Sequence, residues 1–491
     1  MSRVRDFGKE EAAASGEKFR NGRIGIRQER LLQELRQTSG RARIFIRRGL
    51  DTARITANLA TAALQLKLAR EGIFPRSEQE HATRNLAVSA SVLNELAVSM
   101  MEDRETLTAR LNMMIGFVDR IDSLSADSAL YTFPFDSLYT ARYIQQMAVV
   151  AKELGPVDTA LRRSVAALQQ WQTKMDLAIF NIRSSREDIE QLRGAQVARM
   201  FNREYPYLWQ KPGAFTPFGK IAALSVAKEK LNWLYYLRDA RGRLLILVLL
   251  TLAAWYFLGA LKAKWKTGGI PDVRPQNRLV LRYPLLSAVI IVFSIFQFIF
   301  LQPPYIFSCG IWLTGAICLA FIFRGYITVF WMWFWVIMII FFALACITNM
   351  ILLPSMAERL WMLLLSAAGT AWCIYMLRSG RRKELKEKRI LYFIAFVAVM
   401  EAGAMLCNIL GRYNLAKTLL VSGFSGLIIA ILFLWTIRLI DEGLGVIATF
   451  YTHPEGKFFY LNFDRIGEKA PRFFYVFLVV GWFILVGHNF Y

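Results

Sequence analysis

Residues 329–348 read VFWMWFWVIMIIFFALACIT, twenty consecutive positions without a charged side chain. The hydrocarbon core of a bilayer is about 30 Å thick, and an α-helix needs about 20 apolar residues to cross it. This stretch therefore predicts a membrane-spanning helix, and similar runs lie on both sides of it. Together they predict eight spans: 244–261, 283–301, 305–323, 326–348, 360–377, 390–410, 418–437 and 473–490.

The charged residues are concentrated in the other half of the chain. Residues 1–243 carry 38 Lys and Arg and 27 Asp and Glu, whereas residues 244–491 carry 22 and 10. This division excludes a single soluble domain, a disulfide-stapled secreted module and a disordered chain. The fold class predicted is all-α: a polytopic helical membrane protein with an N-terminal helical bundle or coiled-coil domain.

The N-terminal domain is predicted to span residues 1–200, because apolar residues recur there at spacings of three and four. That period is typical of helices that pack side by side. A breaker, YTFPFDSL at 131–138, separates two such runs, and a second break is expected at Gly155–Pro156. Residues 201–243, rich in proline and aromatic residues at their start, form the predicted connector at the membrane surface. The apolar core positions predicted are Leu93, Leu96, Met100, Leu107, Leu111, Met114, Val118, Ile121, Leu161, Val165, Leu168, Met175, Ile179, Ile182, Ile189 and Leu192.

Orientation follows from the basic loop between the fifth and sixth spans, since short basic loops stay in the cytoplasm. The N-terminal domain is then periplasmic in a bacterial inner membrane. Seven spans occupy 244–437, a cytoplasmic amphipathic segment follows at 438–472, and the eighth span lies at 473–491. The loop either only sets the topology or also meets anionic lipid headgroups. Its candidate headgroup residues are Arg378, Arg381, Arg382, Lys383, Lys386, Lys388 and Arg389.

Two polar residues fall within or beside the predicted spans. Glu401 is a candidate because intramembrane carboxyl groups are costly and often functional. It either belongs to a proton or ion relay, or it is a carboxyl that faces the bundle and is hydrogen-bonded, ion-paired or protonated. Asn349 is expected to form a hydrogen bond between helices near the end of a span.

The sequence contains none of the common catalytic or nucleotide-binding motifs, so an enzyme is not expected. The chain contains no P-loop, G-x-G-x-x-G, H-E-x-x-H or G-x-S-x-G motif. The five cysteines are predicted to be isolated buried apolar residues, and the three histidines lie far apart in this topology. We therefore expect no cofactor, no metal and no catalytic residues. The net charge of +23 does not indicate nucleic-acid binding, because the basic residues alternate with acidic residues or flank the spans.

Three segments carry a resemblance to a known family. They are RMFNREYPYLW at 199–209, the stretch from RYPLL at 282–286 to LQPP at 301–304, and residues 441–472 leading into 473–486. In layout the chain resembles the N-terminal and membrane-arm part of the MscS-like mechanosensitive channels, of the large MscK/MscM type. The resemblance implies a homo-oligomer, a heptamer, in contact with membrane lipids. It also implies that the protein continues beyond Tyr491 into a pore helix and a cytoplasmic domain.

The function implied is the release of ions and osmolytes under membrane tension during hypoosmotic shock, with this chain as the periplasmic and tension-sensing part. Two alternatives stay open. One is a secondary transporter or a transporter accessory subunit, for which Glu401 would be the central residue. The other is a membrane scaffold or signalling protein whose periplasmic helical domain binds partners.

Overall fold

Every regular element that the structure describes is helical, so the all-α prediction is confirmed. The structure is a computed structural model, and it describes residues 2–49, 52–73, 82–133, 137–198, 201–210, 217–267, 279–300, 303–384, 388–451 and 480–481. Within these ranges the chain divides into two compact units. The first comprises residues 1–67 and 93–185, and the second comprises residues 68–92 and 186–491.

Four long helices account for the polar half of the chain: α1 (Ser2–Arg47), α2 (Thr52–Arg70), α3 (Thr83–Ser125) and α4 (Ser137–Ala198). The spacing of three and four in α3 and α4 places one apolar stripe of each helix inside the structure. Of the predicted core positions, all are buried except Val118, Val165 and Leu192, which are half-buried. Between α3 and α4, Asp127 caps a short 3₁₀ turn by accepting a hydrogen bond from the Ala129 amide at 2.9 Å.

The predicted break at Gly155–Pro156 is wrong, because α4 continues through it to Ala198. Proline removes one backbone hydrogen bond from a helix but does not by itself end it. Apolar residues continue on the buried stripe on both sides of the proline, with Val150 and Val157 both buried. Packing of this stripe therefore outweighs the local cost of Pro156.

The apolar half forms nine helices among the described residues, and six of them are long and apolar enough to cross a membrane. This marks the chain as a multi-pass membrane protein. The eighth predicted span, 473–490, lies outside the described residues except for 480–481. The nine helices are α5 (Phe218–Asp239), α6 (Arg241–Thr267), α7 (Leu279–Arg282), α8 (Pro284–Ile299), α9 (Tyr305–Phe323), α10 (Val329–Met350), α11 (Met356–Arg378), α12 (Ile390–Ile409) and α13 (Tyr413–Tyr451).

Helix α13 forms the centre of the membrane bundle. In its most apolar stretch of 18 residues every residue is buried, against 17% of the corresponding stretch of α6. A helix that is apolar on all sides is stable only when neighbours surround it or lipid does. Within residues 422–426, SGFSG, the serines and glycines give the first half of α13 small side chains, which allows neighbouring helices to approach closely. Helix α6 instead presents its apolar surface outward.

Candidate functional site

The basic side chains that the structure describes in the loop after α11 are exposed. Arg378 is the last residue of α11, and a 3₁₀ turn then spans Gly380–Glu384. The Arg381 guanidinium lies 5.1 Å from the ring centroid of Phe330, and the Arg381 carbonyl accepts a 3.4 Å hydrogen bond from Trp331 Nε1. Lys386 lies outside the described residues. The remaining candidate headgroup residues are all exposed: Arg378, Arg381, Arg382, Lys383, Lys388 and Arg389.

Glu401 lies at mid-length of α12 and is fully buried. Two glycines on neighbouring helices leave space for it. A Cβ at Gly423 of α13 would lie 2.5 Å from Glu401 Oε1, and a Cβ at Gly369 of α11 would lie 3.5 Å from Glu401 Cγ. Neither carboxyl oxygen has a hydrogen-bond partner among the described residues. The structure therefore encloses this carboxyl without pairing it.

Asn349 lies in the last turn of α10, beside Tyr305 at the start of α9, and its hydrogen bond between helices stays a prediction. The Tyr305 hydroxyl also lies 3.6 Å from Cys346 Sγ. Cys346 is joined to Cys309 of α9 by a disulfide, with the two Cα atoms 6.6 Å apart. The prediction that all five cysteines are isolated is therefore wrong for this pair, which the sequence separates by 37 positions.

A cluster that sequence reasoning missed lies where α11 begins, α12 ends and α13 begins. We call it the polar layer: Glu204, Glu358, Arg359, Asn408, Tyr413, Asn414 and Lys417. At its centre Lys417 Nζ lies 2.7 Å from Glu358 Oε1 and donates to the Ile351 carbonyl at 2.6 Å. Tyr413 donates from its hydroxyl to the same Glu358 oxygen at 2.8 Å. Lys417, Glu358 and Tyr413 are all buried, so their hydrogen bonds to one another take the place of hydrogen bonds to water.

Arg359 is the second buried charge of the polar layer, with 1% of its surface exposed. Its guanidinium donates to the Asn408 carbonyl at 2.9 Å and to the Pro206 carbonyl at 3.1 Å. In return, Asn408 Nδ2 donates to the Arg359 carbonyl at 2.7 Å. Arg359 thereby joins the start of α11 to the end of α12 and to the connector before α5.

The connector at 201–210 is hydrogen-bonded to the α12–α13 turn through its backbone. The amides of Glu204 and Tyr205 donate to the Gly411 carbonyl at 3.1 and 2.9 Å. The Glu204 carboxylate accepts from the amide and side chain of Asn414, both at 2.8 Å. Gly411 has φ +81°, and a Cβ there would lie 2.0 Å from the Tyr205 carbonyl oxygen. Only glycine allows this turn and this close approach.

A second buried base lies on α5, in what we call the Lys228 cluster. Lys228 Nζ lies within 3.1 Å of four acceptors: the carbonyls of Ala69 and Glu71, Asn85 Oδ1 and Ser89 Oγ. Burial lowers the pKa of Lys228 to about 7, opposed by the nearby Glu71 carboxylate. The cluster fastens the end of α2 and the first two turns of α3 to α5.

Glu229, next to Lys228, is paired as well. It accepts a 2.9 Å bond from Arg84, whose guanidinium lies 4.9 Å from the ring centroid of Tyr305. The buried face of α5 is therefore polar: Ser225, Lys228, Glu229 and Asn232. This is the reverse of the usual arrangement, in which an amphipathic helix turns its charged face to solvent.

Comparison with models of protein families and with curated proteins finds no match for this chain. The site must therefore be judged by its own chemistry. Among the described residues no group of three or more His, Cys, Asp and Glu side chains could hold a metal ion, and all three histidines lie outside those residues. The buried charges of the polar layer bind each other and the backbone. Such an arrangement fixes the relative positions of helices.

A weak signal for the polar layer existed in the sequence. Glu358, Arg359 and Lys417 lie within a few residues of predicted span ends, where charges ordinarily reach water or headgroups. Their burial depends on segments far away in sequence, such as Pro206 and Ile351, which provide the acceptors. Spacing along one helix does not contain that information.

Proposed function

We propose that this chain is the sensor and membrane-arm part of a mechanosensitive ion channel of the MscS-like type. It would respond to membrane tension during hypoosmotic shock, and the complete channel would release ions and osmolytes. The observation that supports this most is the attachment of the connector at 201–210 to the α12–α13 turn. Through this attachment an extramembrane segment holds the start of the central, fully buried helix.

The energetic argument concerns area. Tension does work in proportion to the in-plane expansion of a protein. A wide arm that moves as one body would expand more than single helices do, so tension would do more work on it. Helix α6 offers lipid a broad apolar surface, with Leu245, Leu249, Leu252 and Tyr256 exposed. The polar layer fixes α11, α12 and α13 to one another at one end. A force on the outer helices would therefore be transmitted to α13, because these helices could not move independently of it.

The proposed orientation places the basic loop 378–389 in the cytoplasm and the polar layer on the opposite, periplasmic side of an inner membrane. Cys309 lies in the second turn of α9 and Cys346 in the last two turns of α10. This is the same bundle end as the polar layer, since α9 begins and α10 ends there. A disulfide at that end favours an oxidising compartment. Assembly as a homo-oligomer, a heptamer, and contact with membrane lipids are part of the proposal.

The test is tension recording from the full-length protein, as cells produce it, in membranes without their own mechanosensitive channels. We expect suction on a patch to open a conductance, and cells that contain the protein to survive dilution better. The variant Glu204→Ala removes both bonds to Asn414 and should shift the tension at half-opening. Glu190→Ala, at an exposed site on α4, is the matched control. Patches that contain the protein but never respond to suction would contradict the proposal.

Glu401 supports a second candidate, a secondary transporter or its accessory subunit. A buried carboxyl without a partner inside a bundle is a recurring feature of proton and ion pathways. The variant Glu401→Gln keeps the shape and removes the charge. If the protein in vesicles moves protons with a substrate and Glu401→Gln abolishes that movement, the transporter is correct. If Glu401→Gln leaves tension-gated currents intact and no coupled proton movement exists, the channel is correct.

A further inference from the structure

An aromatic cavity of about 140 Å³ lies at the end of the bundle away from the polar layer. It is enclosed by the α9–α10 turn, the first turns of α10 and α12, and the second half of α13. We call it the aromatic cavity. Six rings line it: Phe323, Tyr326, Trp331, Phe334, Trp335 and Trp435.

The rings meet at steep angles, so they form adjoining walls and do not stack on one another. Tyr326 and Trp435 are inclined at 89° with centroids 5.4 Å apart, and Phe323 meets Trp435 at 69° and 4.6 Å. On the opposite side Trp331 and Phe334 meet at 77°. Trp335 is fixed by a 3.2 Å hydrogen bond from its Nε1 to the Ala316 carbonyl. The walls are therefore held by packing and hydrogen bonds before any ligand arrives.

The charge that lines the cavity is negative. Of the described residues in its wall, Glu384 alone carries a formal charge, and its carboxylate accepts a 3.1 Å bond from Thr328 Oγ1. The nearby bases do not line the cavity. Arg438 lies over the rings of Tyr326 and Trp435, at 5.1 and 5.0 Å, and Arg381 lies over Phe330. Arg438 also donates to the Tyr326 hydroxyl.

Aromatic walls with one carboxylate suit a particular kind of cation. Small, strongly hydrated cations need several oxygen ligands to replace their water, and the walls offer few. A quaternary ammonium group is weakly hydrated, its methyl groups suit apolar walls, and aromatic rings attract its charge. We infer that the aromatic cavity binds a quaternary ammonium group, with the rings around its methyl groups and Glu384 as the counter-charge.

Two sources could supply a quaternary ammonium group of this size. Betaine and choline carry it as soluble compounds, and phosphatidylcholine carries it in its headgroup. The shared chemistry is a trimethylammonium group.

The experiment is calorimetric titration of the purified full-length protein in a maltoside detergent. Choline, glycine betaine and tetramethylammonium are the probes, and 3,3-dimethylbutanol, the neutral isostere of choline, is the control. We expect choline to bind about tenfold more tightly than the neutral isostere, because cation–π attraction acts only on the charged compound. Equal binding of the two compounds would overturn the inference, since apolar filling alone would explain it.

Three variants assign the site. Glu384→Gln removes the charge of an exposed turn residue and keeps its shape, and should weaken choline binding by about threefold. Glu105→Gln, an exposed site on α3, is its control and should change nothing. Trp435→Phe exchanges a wall ring for one that attracts cations less strongly, so it should weaken binding of all three cations, but less than the loss of a wall does. Trp331→Leu removes a wall and should abolish binding of all three cations. Binding unaffected by Glu384→Gln and Trp331→Leu would place the compounds elsewhere.

The two sources of the group are separated with lipid nanodiscs. Headgroup contact predicts that discs of phosphatidylcholine occupy the cavity and suppress choline binding, whereas discs of phosphatidylethanolamine do not. A soluble ligand predicts that choline binds equally in both. Either result supports the inference. Two results together would overturn the inference. Choline would bind neither in detergent nor in phosphatidylethanolamine discs, and choline binding by the native protein and by Trp331→Leu would not differ between the two lipids.

Discussion

Glu358 and Glu401 are both buried in the membrane bundle, but their surroundings differ. Glu358 lies in the polar layer, 2.7 Å from Lys417 and 2.8 Å from the Tyr413 hydroxyl. Glu401 lies between two glycines at mid-length of α12, and no partner lies near either oxygen among the described residues. At the end of the bundle, backbone carbonyls and the connector provide partners. Inside it, helices satisfy their own backbone and leave nothing for a side chain.

The difference separates two uses of a buried acid. A paired acid fixes helices in place, and removing one partner leaves an unpaired charge in a poorly solvated site. An unpaired acid contributes little to stability, so its presence calls for a functional reason. The polar layer therefore belongs to the scaffold, whereas Glu401 forms no hydrogen bond between helices among the described residues, so removal of its charge should affect folding little.

The largest effect on stability is expected from Glu358→Ala, which leaves Lys417 buried without its counter-charge. Breaking a buried pair costs about 3–5 kcal/mol, so the unfolding free energy in detergent should fall by that amount. The matched variant Glu401→Gln should change stability by less than about 1 kcal/mol, because it keeps the side-chain volume and breaks no hydrogen bond. Equal losses in both variants would break the comparison.

Replacing the buried ion pair of Glu358 and Lys417 by two apolar side chains should recover the lost stability. The double variant Glu358→Leu with Lys417→Met removes both charges, and such replacements are often neutral or stabilising. We expect it to be more stable than Glu358→Ala in the same unfolding measurement. A double variant that is as unstable as the single one would mean that the layer acts through hydrogen bonds to Ile351 and Tyr413 instead of the charge pair.

Gly411→Ala should cost about 2–3 kcal/mol, from a left-handed backbone position and a clash with the Tyr205 carbonyl. Gly325 separates the two causes. It has φ +79°, but the nearest atom to its Cβ would be 3.8 Å away. Gly325→Ala should therefore cost only about 1–2 kcal/mol. The difference in thermal unfolding measures how firmly the connector is attached to the polar layer.

Gly423→Ala tests the space around Glu401. The new methyl group would lie 2.5 Å from Oε1 and 3.2 Å from Met400 Cβ, and overpacking of this kind costs about 1–3 kcal/mol. In the background of Glu401→Ala the clash with the carboxyl disappears, so most of the loss should be recovered. A double-mutant cycle without such coupling would show that the glycine serves helix approach alone.

The smallest effect is a dependence on pH through Lys228. Its pKa is about 7 in the folded protein against an ordinary 10.5, so the unfolded chain binds more protons between these values. The unfolding free energy should therefore rise with pH from about 7 upward, by up to about 1.4 kcal/mol per pH unit, and this gain is absent below pH 7. The slope should be smaller in Lys228→Met. Matching slopes in both proteins would mean that the four acceptors keep Lys228 charged.

The patterns that the sequence determines are those set by one helix at a time. The spacing of Leu93, Leu107 and Leu161 gives the buried stripes of α3 and α4, and the run at 329–348 gives a membrane helix, because period and length are local properties. The proline at 156 misleads for the same reason: its local effect is visible in the sequence, whereas the packing that outweighs it is not.

The tertiary structure alone decides which polar groups meet. Glu358 and Lys417 are 59 positions apart, Arg359 and Pro206 are 153 apart, and Lys228 draws its acceptors from residues 69–89. The six rings of the aromatic cavity come from three helices and the turn between two of them. Hydrophobic burial is non-directional and can be deduced from composition, but hydrogen bonds and ring contacts require particular atoms at particular distances. Those distances arise only when the helices have packed.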